Sequence, residues 1–170
     1  MVRLFALLGA ALLAACSPTE TDTALAQAPE SVPASEAAIE RHPTSGLQII
    51  EVAVVRGDKR IVFNTELANT PEAQARGLMF RTELRDDEAM LFPSSTPQAR
   101  SFWMKNTPVA LDIVFIGVDG RISNIEEGVP YSLESVPSAG QASAVFEVRR
   151  GLMEELGVVP GDRVEYVLPE

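Results

Sequence analysis

The chain is poor in the residues on which much catalytic and redox chemistry depends. It has a single cysteine, Cys16, and a single histidine, His42. One cysteine cannot form an intramolecular disulfide, so the fold must stand on its apolar core. Residues 47–170 contain neither Cys nor His. No Cys/His or Ser/His/Asp arrangement and no histidine metal site can be built from them. Basic charge is scarce too: 14 Lys and Arg face 24 Asp and Glu, for a net charge of −10 and a pI near 4.6. Nucleic-acid binding needs a basic face, so this balance argues against such a partner. It also argues against lying flat on anionic lipid, and solubility is reason enough for it. The chain shows neither a βαβ rhythm nor a glycine-rich nucleotide fingerprint.

One uninterrupted apolar run stands out, at the very start. Arg3 is the only charge before Glu20, and Leu4 to Ala15 is apolar. A permanent bilayer span needs about 20 such residues, so this run suits the apolar region of a signal peptide. It closes on Leu13-Ala14-Ala15-Cys16, with small residues before a potential cut and a thiol just after it. This resembles the lipobox of bacterial lipoproteins. The resemblance implies removal of residues 1–15 and lipidation of Cys16, with the membrane as a partner through that lipid. Ser17, rather than Asp, follows the cysteine, which by the usual sorting rule implies the periplasmic face of the outer membrane. An ordinary secretory signal with an unrelated cysteine is the alternative.

Residues 16–46 read as the lipid-bearing cysteine and a disordered tether rich in Ala, Pro and Glu. Pro18, Pro29, Pro33 and Pro43 interrupt any helix, and little apolar surface is available to offset ordering entropy. His42, beside Pro43, is expected to be solvated there. Residues 47–170 make one domain. Gln48–Val55 and Arg60–Leu67 read as a hairpin across Arg56-Gly57-Asp58. Thr70-Pro71-Glu72 opens a short helix that Gly77 ends. Leu111–Gly117 and Arg121–Glu126 form a hairpin whose turn, Val118-Asp119-Gly120-Arg121, needs positive φ. Ala144–Val148 reads as a strand, Gly151–Leu156 as a second short helix, and Val164–Leu168 as a last strand. The order β-β-α-β-β-β-β-α-β predicts a mainly β (α+β) domain, a small antiparallel barrel or sandwich-like structure with two short helices.

The densest mixture of apolar, aromatic and polar side chains is Ser101-Phe102-Trp103-Met104-Lys105-Asn106-Thr107-Pro108, followed by Leu111-Asp112-Ile113 and Phe115-Ile116. Together with Arg76-Gly77-Leu78-Met79-Phe80-Arg81, Met90-Leu91-Phe92, Gly151 and Gly161-Asp162, it resembles the DUF192 (UPF0127) family over about residues 50–168. The Phe-Trp-Met-Lys-Asn-Thr block is the specific part. The resemblance implies a small, mostly β, often exported domain and brings no established reaction. Thr107-Pro108-Val109-Ala110 departs from the bulkier aliphatic found there in relatives, which implies a modest packing change.

Trp103, Met104 and Met79 form a candidate apolar binding wall, with core packing as the competing reading; for Phe102 and Met90 packing is preferred. Met79, Met90 and Met104 could in principle form a soft copper site, but no metal or cofactor is expected. Lys105 is a candidate cation, Asn106 a candidate ligand-orienting amide and Asp112 a candidate partner for Lys105. The competing reading makes Asn106 a turn residue and Asp112 an acceptor for backbone N–H groups. Arg76 is a candidate anion site, although for Arg76 and Arg81 pairing with Glu66, Glu147 or carbonyl groups at a helix C-terminus is the stronger expectation. Two functions remain open, and no catalytic residue is assigned. One is a non-enzymatic binding module holding a small molecule, glycan or envelope protein at the Trp103–Lys105 region. The other is an envelope hydrolase or transferase using Lys105 with a carboxylate such as Asp112 or Glu147.

Overall fold

A computed structural model describes residues 39–169. The expected signal peptide, Cys16 and most of the expected tether lie outside the described residues. The elements are β1 (Ile49–Arg56), β2 (Lys59–Leu67), α1 (Pro71–Arg76), β3 (Glu88–Phe102), β4 (Leu111–Gly117), β5 (Ile122–Gly128), β6 (Val136–Arg149), α2 (Leu152–Glu155) and β7 (Arg163–Tyr166). The expected order of strands and helices is the observed one.

Local chemistry accounts for the turns and helix ends. Thr70 Oγ1 accepts from Ala73 N at 3.2 Å, Pro71 occupies the first turn of α1, and Gly77 leaves the helix at φ 48°. Gly120, at φ 73°, lets β4 turn back into β5, and Asp119 Oδ1 accepts from Arg121 N at 3.1 Å.

The strands form one seven-stranded sheet in the order β5-β4-β6-β3-β2-β1-β7. It is mixed: β2 and β3 run parallel, because the connection carrying α1 crosses over. The sheet does not close into a barrel, so the sandwich-like form of the expectation is the one realised. Its two edges touch through an isolated bridge, Arg121 to Arg163. β3 and the first half of β6 had no clear sequence signal. Their outer stretches, through Ser94–Arg100 and Val136–Gln141, are polar and largely exposed and carry register shifts.

Both faces of the central strands are covered, which is why β4 reads Leu-Asp-Ile-Val-Phe-Ile-Gly without alternation and every residue is buried. Val114, Ile116, Leu91, Phe146 and Val148 point to one core, which Leu152 and Met153 of α2 complete. Leu111, Ile113, Phe115, Met90, Phe92 and Val145 point to the other, roofed by Leu78, Leu84 and Met104. A side chain on β4 or β6 therefore belongs to one core or the other by its parity alone.

Residues 40–48 pack on the domain, which corrects the reading of His42. Ile49 N donates to Glu40 O at 2.8 Å, and Gly46 N donates to His42 O at 2.8 Å. The imidazole of His42 is 12% exposed. Its Nδ1 lies 3.1 Å from Arg81 Nη2 and 3.3 Å from Thr44 N, and its Nε2 lies 3.9 Å from Glu88 Oε1. What draws it in is a buried ion pair, Arg81 Nη2 to Glu66 Oε1 at 2.6 Å, with Ser45 also donating to Glu66. A proline-rich, polar composition cannot show that a charged pair across the fold needs those partners.

Replacing Arg81 with Met should leave the Glu66 carboxylate buried without a countercharge. We expect a loss of about 3 kcal/mol in urea unfolding. A change within about 0.5 kcal/mol, the range of an ordinary surface substitution, would show that the pair does not anchor this end of the sheet.

Candidate functional site

The Phe-Trp-Met-Lys-Asn-Thr block is where β3 ends and a compact crossing begins. Phe102 closes the strand and packs edge-on against Phe92, ring centres 5.0 Å apart. The next residues are held by backbone bonds to two other loops. Met104 N donates to Ser132 O at 2.9 Å, Phe80 N donates to Asn106 O at 2.7 Å, and Tyr131 N donates to Thr107 O at 3.1 Å. Phe80, Asn106 and Tyr131 all sit at positive φ, an arrangement that costs energy for aromatic residues and is eased for Asn. Met104 turns inward, 1% exposed, against Gly128. A Cβ on Gly128 would stand 2.8 Å from the Met104 sulfur and 3.1 Å from Leu111 Cβ, so a larger residue there would require the thioether to shift.

Beneath this crossing lies a cavity of about 330 Å³. Its walls are Phe92, Phe102, Trp103, Leu78, Met79 and Leu111, and its polar groups are Gln74, Arg76, Arg100, Ser101, Thr107 and Glu147. That is within the size range of small-molecule pockets, with an apolar lining and a few convergent polar groups. Trp103 is 51% exposed, so it belongs to the outer part of the site rather than to the core.

Glu147 is the unusual member. It stands on β6 between Met90 of β3 and Ile113 of β4, in the middle of the sheet, and is 4% exposed. Among the described residues no ion pair or hydrogen bond reaches its carboxyl group. Burial alone pushes its pKa from 4.5 up to about 8, so it is mostly neutral near pH 7. Arg76 and Arg100 line the same cavity, and among the described residues no carboxylate pairs with them. Arg100 donates to Ser94 Oγ at 2.6 Å and Gln74 Oε1 at 3.3 Å, and its guanidinium lies 5.3 Å from the Phe102 ring centre. Partial burial lowers its pKa from the ordinary value. Arg76 lies 6.0 Å from the Phe80 ring centre. A larger, more open depression of about 830 Å³ involves Glu51, Arg60 and Glu165, but there the charges satisfy one another.

The expected site residues divide accordingly. Trp103, Met79 and Arg76 line the cavity. Met104 is core, not wall. Lys105 is exposed and stacks over Trp103, its Nζ 5.2 Å from the ring centre. Asn106 shapes the turn, and its amide reaches Met79 Sδ at 3.9 Å. Asp112 is not a partner of Lys105. Its position on β4 points it to the opposite face, where Oδ1 accepts from Gly151 N at 2.9 Å and Oδ2 from Met153 N at 3.0 Å. It caps α2 from a distance, in place of the side chain that Gly151 lacks. Of the partners expected for Arg76 and Arg81, Glu66 pairs with Arg81, and among the described residues Glu147 pairs with neither.

Sequence reading missed Arg100 and Gln74, and expected Glu147 as an arginine partner or a catalytic carboxylate rather than as an unpaired buried acid. The available signal was Ala144-Val145-Phe146-Glu147-Val148, a lone acid inside an apolar strand. Among the described residues, no group of three or more His, Cys, Asp or Glu side chains is placed to hold a metal ion.

A mostly β domain with this motif and cavity is matched by the family model DUF192, described as an uncharacterized ACR, over residues 52–166. The chain belongs to the DUF192 family. It is similar to a solved protein of unknown function from Novosphingobium aromaticivorans, with 50% identity and a TM-score of 0.73 over 76% of this chain and 94% of that one. It is also similar to a solved protein from Sinorhizobium meliloti, provisionally named a transcription regulator, with 35% identity and a TM-score of 0.67 over 69% of this chain and 93% of that one. No protein of curated function matches it.

Two outcomes test this geometry. Because the folded pKa of Glu147 is raised, its stabilising effect is full below about pH 4.5 and is lost as pH rises through about 8. Across that window the unfolding free energy of the protein should fall relative to Glu147→Gln by roughly 1.4 kcal/mol per pH unit. Parallel curves for the two proteins would contradict a raised pKa. Separately, Asp112→Ala should cost about 1–2 kcal/mol in chemical unfolding through loss of the α2 cap. A negligible cost would contradict the capping role.

Proposed function

We propose that this chain is a membrane-tethered extracytoplasmic binding module, anchored through lipid on Cys16 at the periplasmic face of the outer membrane, that holds a small molecule in the Trp103 cavity. One observation carries the ligand-binding part: a buried carboxyl group without a protein partner opens onto a cavity with aromatic walls. A polar group buried without a partner costs stability, and a ligand that bonds to it recovers that cost. The lipobox-like Leu-Ala-Ala-Cys sequence supports the anchoring part.

The reading is preferred to a hydrolase or transferase because the cavity lining offers one carboxyl and no second titratable acid or base beside it, apart from the two arginines. Lys105 and Asp112, the groups that such an enzyme would have used, lie outside the cavity and on the opposite face of the sheet. The provisional name of the Sinorhizobium relative is not carried over to this chain, since a net charge of −10 opposes binding to DNA.

Trp103 is the only tryptophan, so its emission reports the cavity in the full-length, detergent-solubilised protein. Titration with small amines, amino acids, carboxylates, phosphate esters and sugars should give a saturable change for at least one class. That change should weaken at least about tenfold on filling the cavity with Ser101→Phe. Silence across all classes would refute the binding reading.

A further inference from the structure

The charges of this cavity are arranged as no other cluster in the described part of the molecule is. Arg56, Arg60, Arg81, Arg85, Arg149 and Arg150 each hold a carboxylate. Arg41 and Arg121 bond backbone carbonyls instead and lie outside the cavity, as does Arg163; among the described residues Arg76 and Arg100, which line it, hold no carboxylate, and its one acid has no cation. A carboxyl group and two guanidinium groups thus share one small space without pairing to each other. Their complement is a molecule that carries both charges.

Glu147 is the more telling half. If the site needed only a hydrogen-bond donor for an anion, Gln, Ser or Thr in its place would supply one without a latent buried charge. A carboxyl group adds something that those side chains cannot: it becomes an anion when a cation arrives. Of the aromatic walls, Phe102 already meets the Arg100 guanidinium and Trp103 the Lys105 ammonium, so the group in the cavity that can attract a cation is Glu147. Its neighbours across the sheet are Met90 and Ile113, so the charged groups that share its cavity are Arg76 and Arg100. Arg100 is fixed by Ser94 and Gln74, which leaves its fork shaped for a carboxylate.

We propose that the cavity receives a zwitterionic small molecule, with a primary ammonium group on the Glu147 carboxylate and a carboxylate group on Arg100 and Arg76. The proposal rests on the binding reading above and names the class of its ligand. Binding requires Glu147 to ionise: its proton leaves to solvent, and the ammonium takes its place as the neutralising charge. Near pH 7 each bound zwitterion should therefore release close to one proton, and affinity should rise with pH until Glu147 is ionised in the free protein.

The test is calorimetric titration of the full-length protein with L-leucine and ε-aminocaproate, two zwitterions of different span, against caproate and hexylamine. At least one zwitterion should bind at least about tenfold more tightly than either singly charged compound. Its heat should vary between buffers of different ionisation enthalpy by the amount that marks proton release. Glu147→Gln should abolish that proton release and weaken the zwitterion at least about tenfold. Arg100→Met should weaken the zwitterion at least about tenfold but not weaken hexylamine, whose ammonium loses a like charge from the cavity, which also guards against a Glu147→Gln protein that fails to fold. Caproate binding as tightly as the zwitterions, or zwitterion binding without proton release, would overturn the proposal. If neither zwitterion binds while another class of compound still quenches Trp103, the ligand class is wrong and the binding reading stands. If nothing binds in either experiment, both fall.

Discussion

A carboxyl group on the central strand of a sheet has to be accommodated, and the surroundings of Glu147 show how this is done. β6 lies between β3 and β4, with both of its faces covered. Parity sends Glu147 into the core that Leu111, Ile113 and Phe115 occupy, where an apolar residue would pack without penalty. Instead, the roof over that position stops short. Leu78, Met79 and Trp103 stand around an opening, and the crossing from Phe102 to Thr107 is suspended by backbone bonds to the loops at Phe80 and Tyr131 rather than pressed onto the sheet. The positive φ values at those loop residues are part of the cost of holding it there. The densest sequence block of the family thus appears as scaffolding for a cavity, with Met104 and Gly128 locking the crossing to the core.

The two faces of the sheet have different tasks. On one, Asp112 and α2 close the core, and the acid's bonds to Gly151 and Met153 satisfy backbone groups that a four-residue helix starting at glycine cannot satisfy itself. On the other, Glu147 is left without a protein partner. These two acids lie on neighbouring strands and differ in environment because their side chains leave the sheet in opposite directions. The buried Arg81–Glu66 pair, with His42 and Ser45 folded against it, is a third solution, in which a buried acid is neutralised within the protein.

Much of the fold was legible because it is written in local chemistry. Gly57, Gly77 and Gly120 mark turns and a helix end where only positive φ serves, and Thr70-Pro71 starts a helix whatever surrounds it. The residues that escaped sequence reading depend on contacts far along the chain. Nothing near His42 indicates that it reaches Arg81. Asp112 and Lys105 are close in sequence, but the strand parity that separates them follows from which face carries α2. Met104 reads like a binding residue beside Trp103 until Gly128 is seen to make room for it. Arg100 and Gln74, from β3 and α1, meet only because the crossover lays the helix near the strand's polar end. For Glu147 the signal was present, an acid in an apolar strand, yet the absence of a counterion is a three-dimensional fact.

The central claim is that Glu147 is a buried acid without a protein partner, kept neutral until the cavity is filled. The most direct measurement is a carboxyl NMR titration of the glutamate side chains in the unliganded protein, compared with Glu147→Gln. One resonance should titrate near pH 8 and be missing from the variant. If every glutamate titrates near the ordinary value of 4.5, Glu147 is already charged and compensated in the free protein, and the account is wrong.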